Sequence, residues 1–266
     1  MQRVQQNIGE RHPARTAEMR GTKVTNPEGE DLGKITDLVV DSKTGHMPYA
    51  VVSFGGVLGI GRESVAVPME AFGKDGRKDR FVLSTSREQL EQAPDFDPNN
   101  WNNLHDDSWR DKISKAFGKT PEHHGGAGAN AGSRYMLSTD LEGASIVDAQ
   151  GKDTGTINEL IADRSSCDIG FVLMKSGGVA GIGADSIPVP WKALSQTEGT
   201  KFRISVPNGR IEDAPKLEKD QVDQLGRPEF CDSVCDFFGV HSGAAGGRQS
   251  GTSAGSQSNF GTSQRP

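Results

Sequence analysis

Along most of the chain, short apolar runs alternate with breaks carrying glycine, proline and aspartate, and the runs are β-branched and too brief for helices. Tyr49-Ala50-Val51-Val52-Ser53-Phe54 predicts a strand, and Phe171-Val172-Leu173-Met174 predicts another of the same kind. Further strands are predicted at 33–40 and 155–162, and near Val65–Val67, Phe81–Leu83, Ile187–Val189 and Phe202–Val206. Asn26-Pro27-Glu28-Gly29 supplies an Asx-type turn starter, a preset φ and a permissive glycine, and Asp148-Ala149-Gln150-Gly151 repeats the pattern. Asp41-Ser42-Lys43-Thr44-Gly45 reads as a second turn. Pro68 and Pro190 end their strands, because proline has no N–H to give to a ladder.

The helical period appears twice. Trp109, Ile113 and Phe117 recur at i, i+4 and i+8 within Asp107–Phe117, and Gly118 supplies the stop. Phe230, Val234 and Phe238 do the same within Glu229–Phe238, with Pro228 near the first turn and Gly239 at the end. Each stripe either covers its own β-module or serves as a face for a second copy of the chain.

The chain repeats itself. Residues 24–72 align without a gap on residues 146–194, an offset of 122, and at least fifteen of the 49 positions are identical. Average residue usage gives roughly 3 by chance, so this is a duplication. After a slip of one residue the match continues, placing Trp109, Ile113, Phe117 and Gly118 on Phe230, Val234, Phe238 and Gly239. The predicted organisation is a disordered start at 1–15, repeat one at 16–118, a flexible linker at 119–137, repeat two at 138–239 and a disordered glycine- and serine-rich tail at 240–266. Many short strands with closely spaced turns make the fold mainly β, two tandem small antiparallel barrels, each followed by a short amphipathic helix.

Composition narrows the function. The net charge is −6 with lysine and arginine scattered, which argues against the clustered cations that nucleic-acid backbone binding needs. There is no apolar run of 18 residues to span a membrane and no secretory signal in MQRVQQNIGERHPAR. Three cysteines do not make a disulfide framework. The expectation is a cytoplasmic protein.

The stretch LGKITDLVVDSKTGHMPYAVVSFGGVLGIGRESVAVPMEAF resembles the PRC-barrel family, known from the cytoplasmic part of the photosynthetic reaction centre H chain and from the ribosome maturation factor RimM. The matching features are Gly33 before a strand, the Asp41 to Gly45 turn, the Tyr49–Phe54 strand, the glycine-rich GGVLGIG, and the Val67-Pro68 to Ala71-Phe72 end. Repeat two keeps Gly155, Asp163, GGVAGIG and Val189-Pro190-Trp191, with Ser166-Cys167 where repeat one has Thr44-Gly45. The resemblance implies a barrel used as an interaction surface, without a shared catalytic residue or cofactor. It also implies alternatives by analogy: an RNA- or ribosome-associated factor, or an electron-transport accessory like the H chain.

Candidate chemistry is thin. The segments Gly55–Gly61 and Gly177–Gly183 lack the strand-to-helix setting of a phosphate loop and read as loops joining strands, with glycines at positive φ. Their exposed backbone, at Gly55, Gly56, Gly59, Gly61, Gly177, Gly178, Gly181 and Gly183, is the candidate interaction surface for a protein partner, together with Trp101. Trp109 is expected in the core, and Trp191, which matches Met69, is expected to be buried or half-buried. Asp41 and Asp163, and Asp37 and Glu159, occupy matching positions and read as turn caps or polar strand positions rather than an acid–base pair. Cys231 and Cys235 stand at i, i+4 near His241; without a fourth ligand, such as His123 or His124, they read as free thiols on a helix surface rather than a zinc or redox site. No catalytic, cofactor-binding or metal residue is expected, and a small-molecule or metal-responsive regulator stands as a further alternative.

Overall fold

The computed structural model describes residues 12–57, 60–73, 80–97, 104, 106–120, 135–164, 166–176, 186–206, 211–218 and 221–240. Copy one is built from β2 (Lys23–Thr25), β3 (Asp31–Asp41), β4 (Tyr49–Val57), β5 (Ile60–Pro68) and β6 (Arg80–Val82), in the order β5-β4-β3-β2-β6. Copy two repeats it with β8 (Ser145–Val147), β9 (Asp153–Asp163), β10 (Asp168–Ser176), β11 (Ser186–Pro190), β12 (Leu194–Glu198) and β13 (Lys201–Ile204), in the order β11-β10-β9-β8-β13-β12. The mainly β fold predicted from the pattern is the observed one. The pairing is not wholly antiparallel, since β2–β6 and β8–β13 run parallel. Such pairs become accessible because the rest of each module lies between the two strands in sequence.

Local chemistry explains the turns. Asn26 Oδ1 accepts from Glu30 N at 2.8 Å and Gly29 turns at φ 89°; Asp148 Oδ1 accepts from Gln150 N and Lys152 N, both at 2.9 Å, and Gly151 turns at φ 83°. Gly33 has a harder requirement: a Cβ there would lie 2.4 Å from the carbonyl oxygen of Ser53, so the strand crossing closes only on glycine.

Beyond the short α2 (Arg87–Glu91), the covering helix of each copy lies on its own barrel, α3 (Asp107–Phe117) against β5 and α5 (Pro228–Phe237) against β11. Trp109 and Ile113 are buried as expected, with the Trp109 ring edge-on to Tyr49 at 6.2 Å, while Phe117 is half-buried. In α5 the buried stripe is Cys231, Val234, Cys235 and then Phe238, with Phe230 at its margin. The cysteines are therefore inside, 3% and 5% exposed, and not on the helix surface. Cysteine behaves as a small apolar residue when the alternative is a gap.

The largest departure from the sequence reading concerns two short strands. Pro13–Arg15, inside the segment expected to be disordered, forms β1 and pairs antiparallel with β9 of copy two. Tyr135–Leu137, inside the expected linker, forms β7 and pairs antiparallel with β3 of copy one. A four-residue helical turn follows each, α1 (Thr16–Met19) after β1 and α4 (Ser138–Leu141) after β7. Pro13 pairs with Asp163 as Tyr135 pairs with Asp41, the same contact at the same offset of 122. Reciprocity of this kind is the signature of a two-fold interface. The two barrels are one chain's version of a symmetric dimer, and flexible tethering of independent barrels does not describe them.

Candidate functional site

The two-fold relation puts certain residues opposite their own counterparts. Met47 N donates to the carbonyl oxygen of Cys167, and Ile169 N donates to that of Gly45, both at 2.8 Å. Between these bonds His46 and Asp168 form an antiparallel bridge, and His46 Nδ1 lies 2.8 Å from Asp168 Oδ1. Gly45 takes φ +81° in its turn, and a Cβ there would also lie 2.7 Å from Cδ1 of Trp191 in the other copy, so angle and contact both call for glycine. Its counterpart Cys167 adopts φ 57°, which among the described residues no other non-glycine side chain does.

Polar groups tie the same seam. The Asp37 carboxylate, buried, accepts from Ser138 Oγ and Thr139 Oγ1 at 2.5 Å each and from Leu38 N at 2.7 Å. Its counterpart Glu159 accepts from Arg15 Nε at 2.6 Å. Both positions therefore hold the segment that crosses from the neighbouring repeat, not a turn of their own. Asp41 does cap its turn, accepting from Lys43 N at 2.9 Å. Beside Asp37, Asp140 has its carboxyl pKa raised, by partial desolvation and then by the Asp37 charge.

Beside this seam a cleft of about 720 Å³ opens. Copy one contributes Pro13, Lys43 and Thr44; copy two contributes a floor of Ile161, Ala162, Phe171, Trp191 and Leu225, the Cys235 thiol, and a rim that includes Asp163, Ser166, Asp168 and Lys192. Sequence reasoning missed it because Pro13-Ala14-Arg15 and Tyr135-Met136-Leu137 share no residue, so the repeat gave no reason to extend that far.

Of the glycines expected to form an exposed surface, Gly55 and Gly56 lie in β4 and Gly61 in β5. The strands pair as far as Val57 and Ile60, so the segment expected as a loop is mostly ladder, with Gly55 exposed at φ 69° opposite Arg62. Gly59, Gly177, Gly178, Gly181, Gly183 and Trp101 lie outside the described residues, as do His123, His124 and His241. Among the described residues no three His, Cys, Asp or Glu side chains gather as a metal site, and no helix is long and apolar enough to cross a membrane.

The sequence model of the PRC-barrel domain matches residues 14–90 and again residues 134–211, more than half of the chain. The chain belongs to the PRC-barrel family. No curated protein matches it. Both PRC-barrel matches begin at the crossing strands, at Ala14 within β1 and just before Tyr135 in β7. In this tandem PRC-barrel chain each matched segment therefore includes residues of a leading strand, and each leading strand is laid on the other barrel. The PRC barrel is a non-catalytic fold family.

Proposed function

We propose that this chain is a non-enzymatic adaptor, a pair of PRC barrels locked together that docks an extended segment of a protein partner on the outer edge of β5. The observation that carries the reading is the state of that edge. β5 is the terminal strand of its sheet, and among the described residues only one backbone bond reaches its outer side, from Phe96 N to the carbonyl oxygen of Ser64 at 2.8 Å.

In an antiparallel ladder, residues of one parity turn their N–H and C=O outward. Ser64 is of that parity, so the backbone N–H of Arg62, two residues earlier and paired with Gly55, also points outward. An added strand gains main-chain hydrogen bonds there. Copy two repeats the edge at β11, where Leu217 N bonds the Ser186 carbonyl at 2.8 Å.

Affinity capture from the native host with the full chain and with Arg62→Pro tests the reading. The proline deletes an outward donor and leaves the β4–β5 ladder whole. A protein captured by the parent and lost with Arg62→Pro supports edge docking; equal capture by both overturns it.

A further inference from the structure

At one matched place the two copies differ by a ring. Tyr135 of β7 is 3% exposed, and its hydroxyl pKa is raised by burial, with Arg110 and Asp41 within electrostatic reach. It also acts on Tyr49, whose ring is buried beside it. The counterpart of Tyr135 is Pro13, and the counterpart of Tyr49 is Phe171; both line the open cleft. Copy one thus carries its own aromatic plug where copy two has a short proline and space.

The charges differ as well. Where copy one has Glu70, copy two has Lys192, and Lys43 reaches the same rim from across the seam. Among the described residues neither lysine makes a salt bridge, whereas Asp168 is bonded to His46 and Asp163 is also engaged.

We infer that the cleft is a binding site for a small planar aromatic carboxylate. The ring takes the place that Tyr135 fills in copy one, between Pro13 and Phe171 with Ile161 beneath, and the carboxylate meets Lys43 and Lys192. An apolar floor with a few rim charges that fix orientation is the usual make-up of small-molecule sites, and the cleft's size falls in their range. This is a function beyond edge docking, and none of the residues lining the cleft belongs to β5.

The test uses the full chain with three probes: 4-hydroxybenzoate, 4-hydroxybenzyl alcohol, which lacks the carboxylate, and cyclohexanecarboxylate, which lacks the planar ring. Binding is read by methyl resonances of Ile161 and Ile169. Saturable shifts with 4-hydroxybenzoate, and contacts from its ring protons to those methyls, are expected. Both other probes are expected to bind at least about tenfold more weakly. Pro13→Tyr supplies copy two with copy one's plug, so it abolishes binding while the melting temperature holds or rises. Lys43→Ala with Lys192→Ala removes the preference for the carboxylate over the alcohol. Arg62→Pro leaves all of this unchanged, so failure of edge docking and failure of the cleft are told apart. No saturable shift in the parent chain, shifts that map away from Ile161 and Ile169, or unchanged binding in a folded Pro13→Tyr chain overturns the inference; the first two need no variant to fold.

Discussion

Arg20 and Glu142 occupy the same position in the two copies and bond to each other: Arg20 Nη2 donates to both carboxylate oxygens of Glu142, at 2.9 and 2.8 Å. Arg20 Nη1 donates to Ser138 Oγ at 3.0 Å. A residue paired with its own counterpart lies on the two-fold axis, where a true homodimer would set like against like. Here the copies carry opposite charges, and a second pair of counterparts on the axis, His46 and Asp168, is joined by a hydrogen bond. Arg20→Glu is expected to destabilise the chain by about 1–2 kcal/mol, and adding Glu142→Arg to restore most of the loss. Chemical denaturation of the parent, both singles and the double closes the cycle. Additive effects would show that the pair is not coupled.

The same axis predicts how the halves recognise each other. Expressed as separate chains, residues 1–134 and 135–266 are expected to assemble one to one, because each piece supplies a strand to the other's sheet. Like-with-like pairs set Arg20 against Arg20 or Glu142 against Glu142 and are disfavoured. Native mass spectrometry of the mixture reads the ratio directly, and two stable monomers would contradict the strand exchange.

Gly45 is the tightest point of the seam. Gly45→Ala adds a Cβ against the Trp191 ring at a backbone angle that disfavours side chains. A loss of at least about 1 kcal/mol is expected, read as a lower denaturation midpoint. Alanine at Gly29, where φ is +89° but nothing lies within 4 Å of the new Cβ, separates the cost of the angle from the cost of the contact.

Tyr49 governs the alkaline limit. Burial raises its hydroxyl pKa strongly, with Tyr135 adding to the effect, while the unfolded chain titrates near pH ~10. Above that pH the unfolded state has lost a proton that the native state keeps, so stability falls as pH rises through the window between the two pKa values. Among the described residues the Tyr49 hydroxyl has no hydrogen-bond partner, and copy two uses Phe171 at the same position. Tyr49→Phe is therefore expected to hold or raise neutral stability, by up to about 1 kcal/mol, and to lessen the alkaline loss. Melting temperatures of both chains from pH ~7 to ~11 check it.

Strands, turns, helices and the duplication were legible because each is a local pattern: alternation over a few residues, a glycine where the chain must turn, an apolar stripe, and a repeat at constant offset. The burial of Trp109 and Trp191 followed from the same patterns. The burial of Cys231 and Cys235 did not, since α5 has more apolar positions than one stripe needs and only the barrel beneath it selects a face. Asp37 looked like a strand's polar side, and its partners Ser138 and Thr139 lie about a hundred residues away.

What the sequence determined by itself is thus the unit: a small β-module with a covering helix, written twice. What tertiary structure alone decided is how the units combine. Pro13-Ala14-Arg15 has almost no strand character, and it becomes a strand because β9 presents an edge whose N–H and C=O groups need partners. A backbone edge recruits any nearby chain regardless of side chains, so the strand exchange, the opposed charges on the axis and the cleft beside Pro13 arise only once both barrels are folded and facing each other.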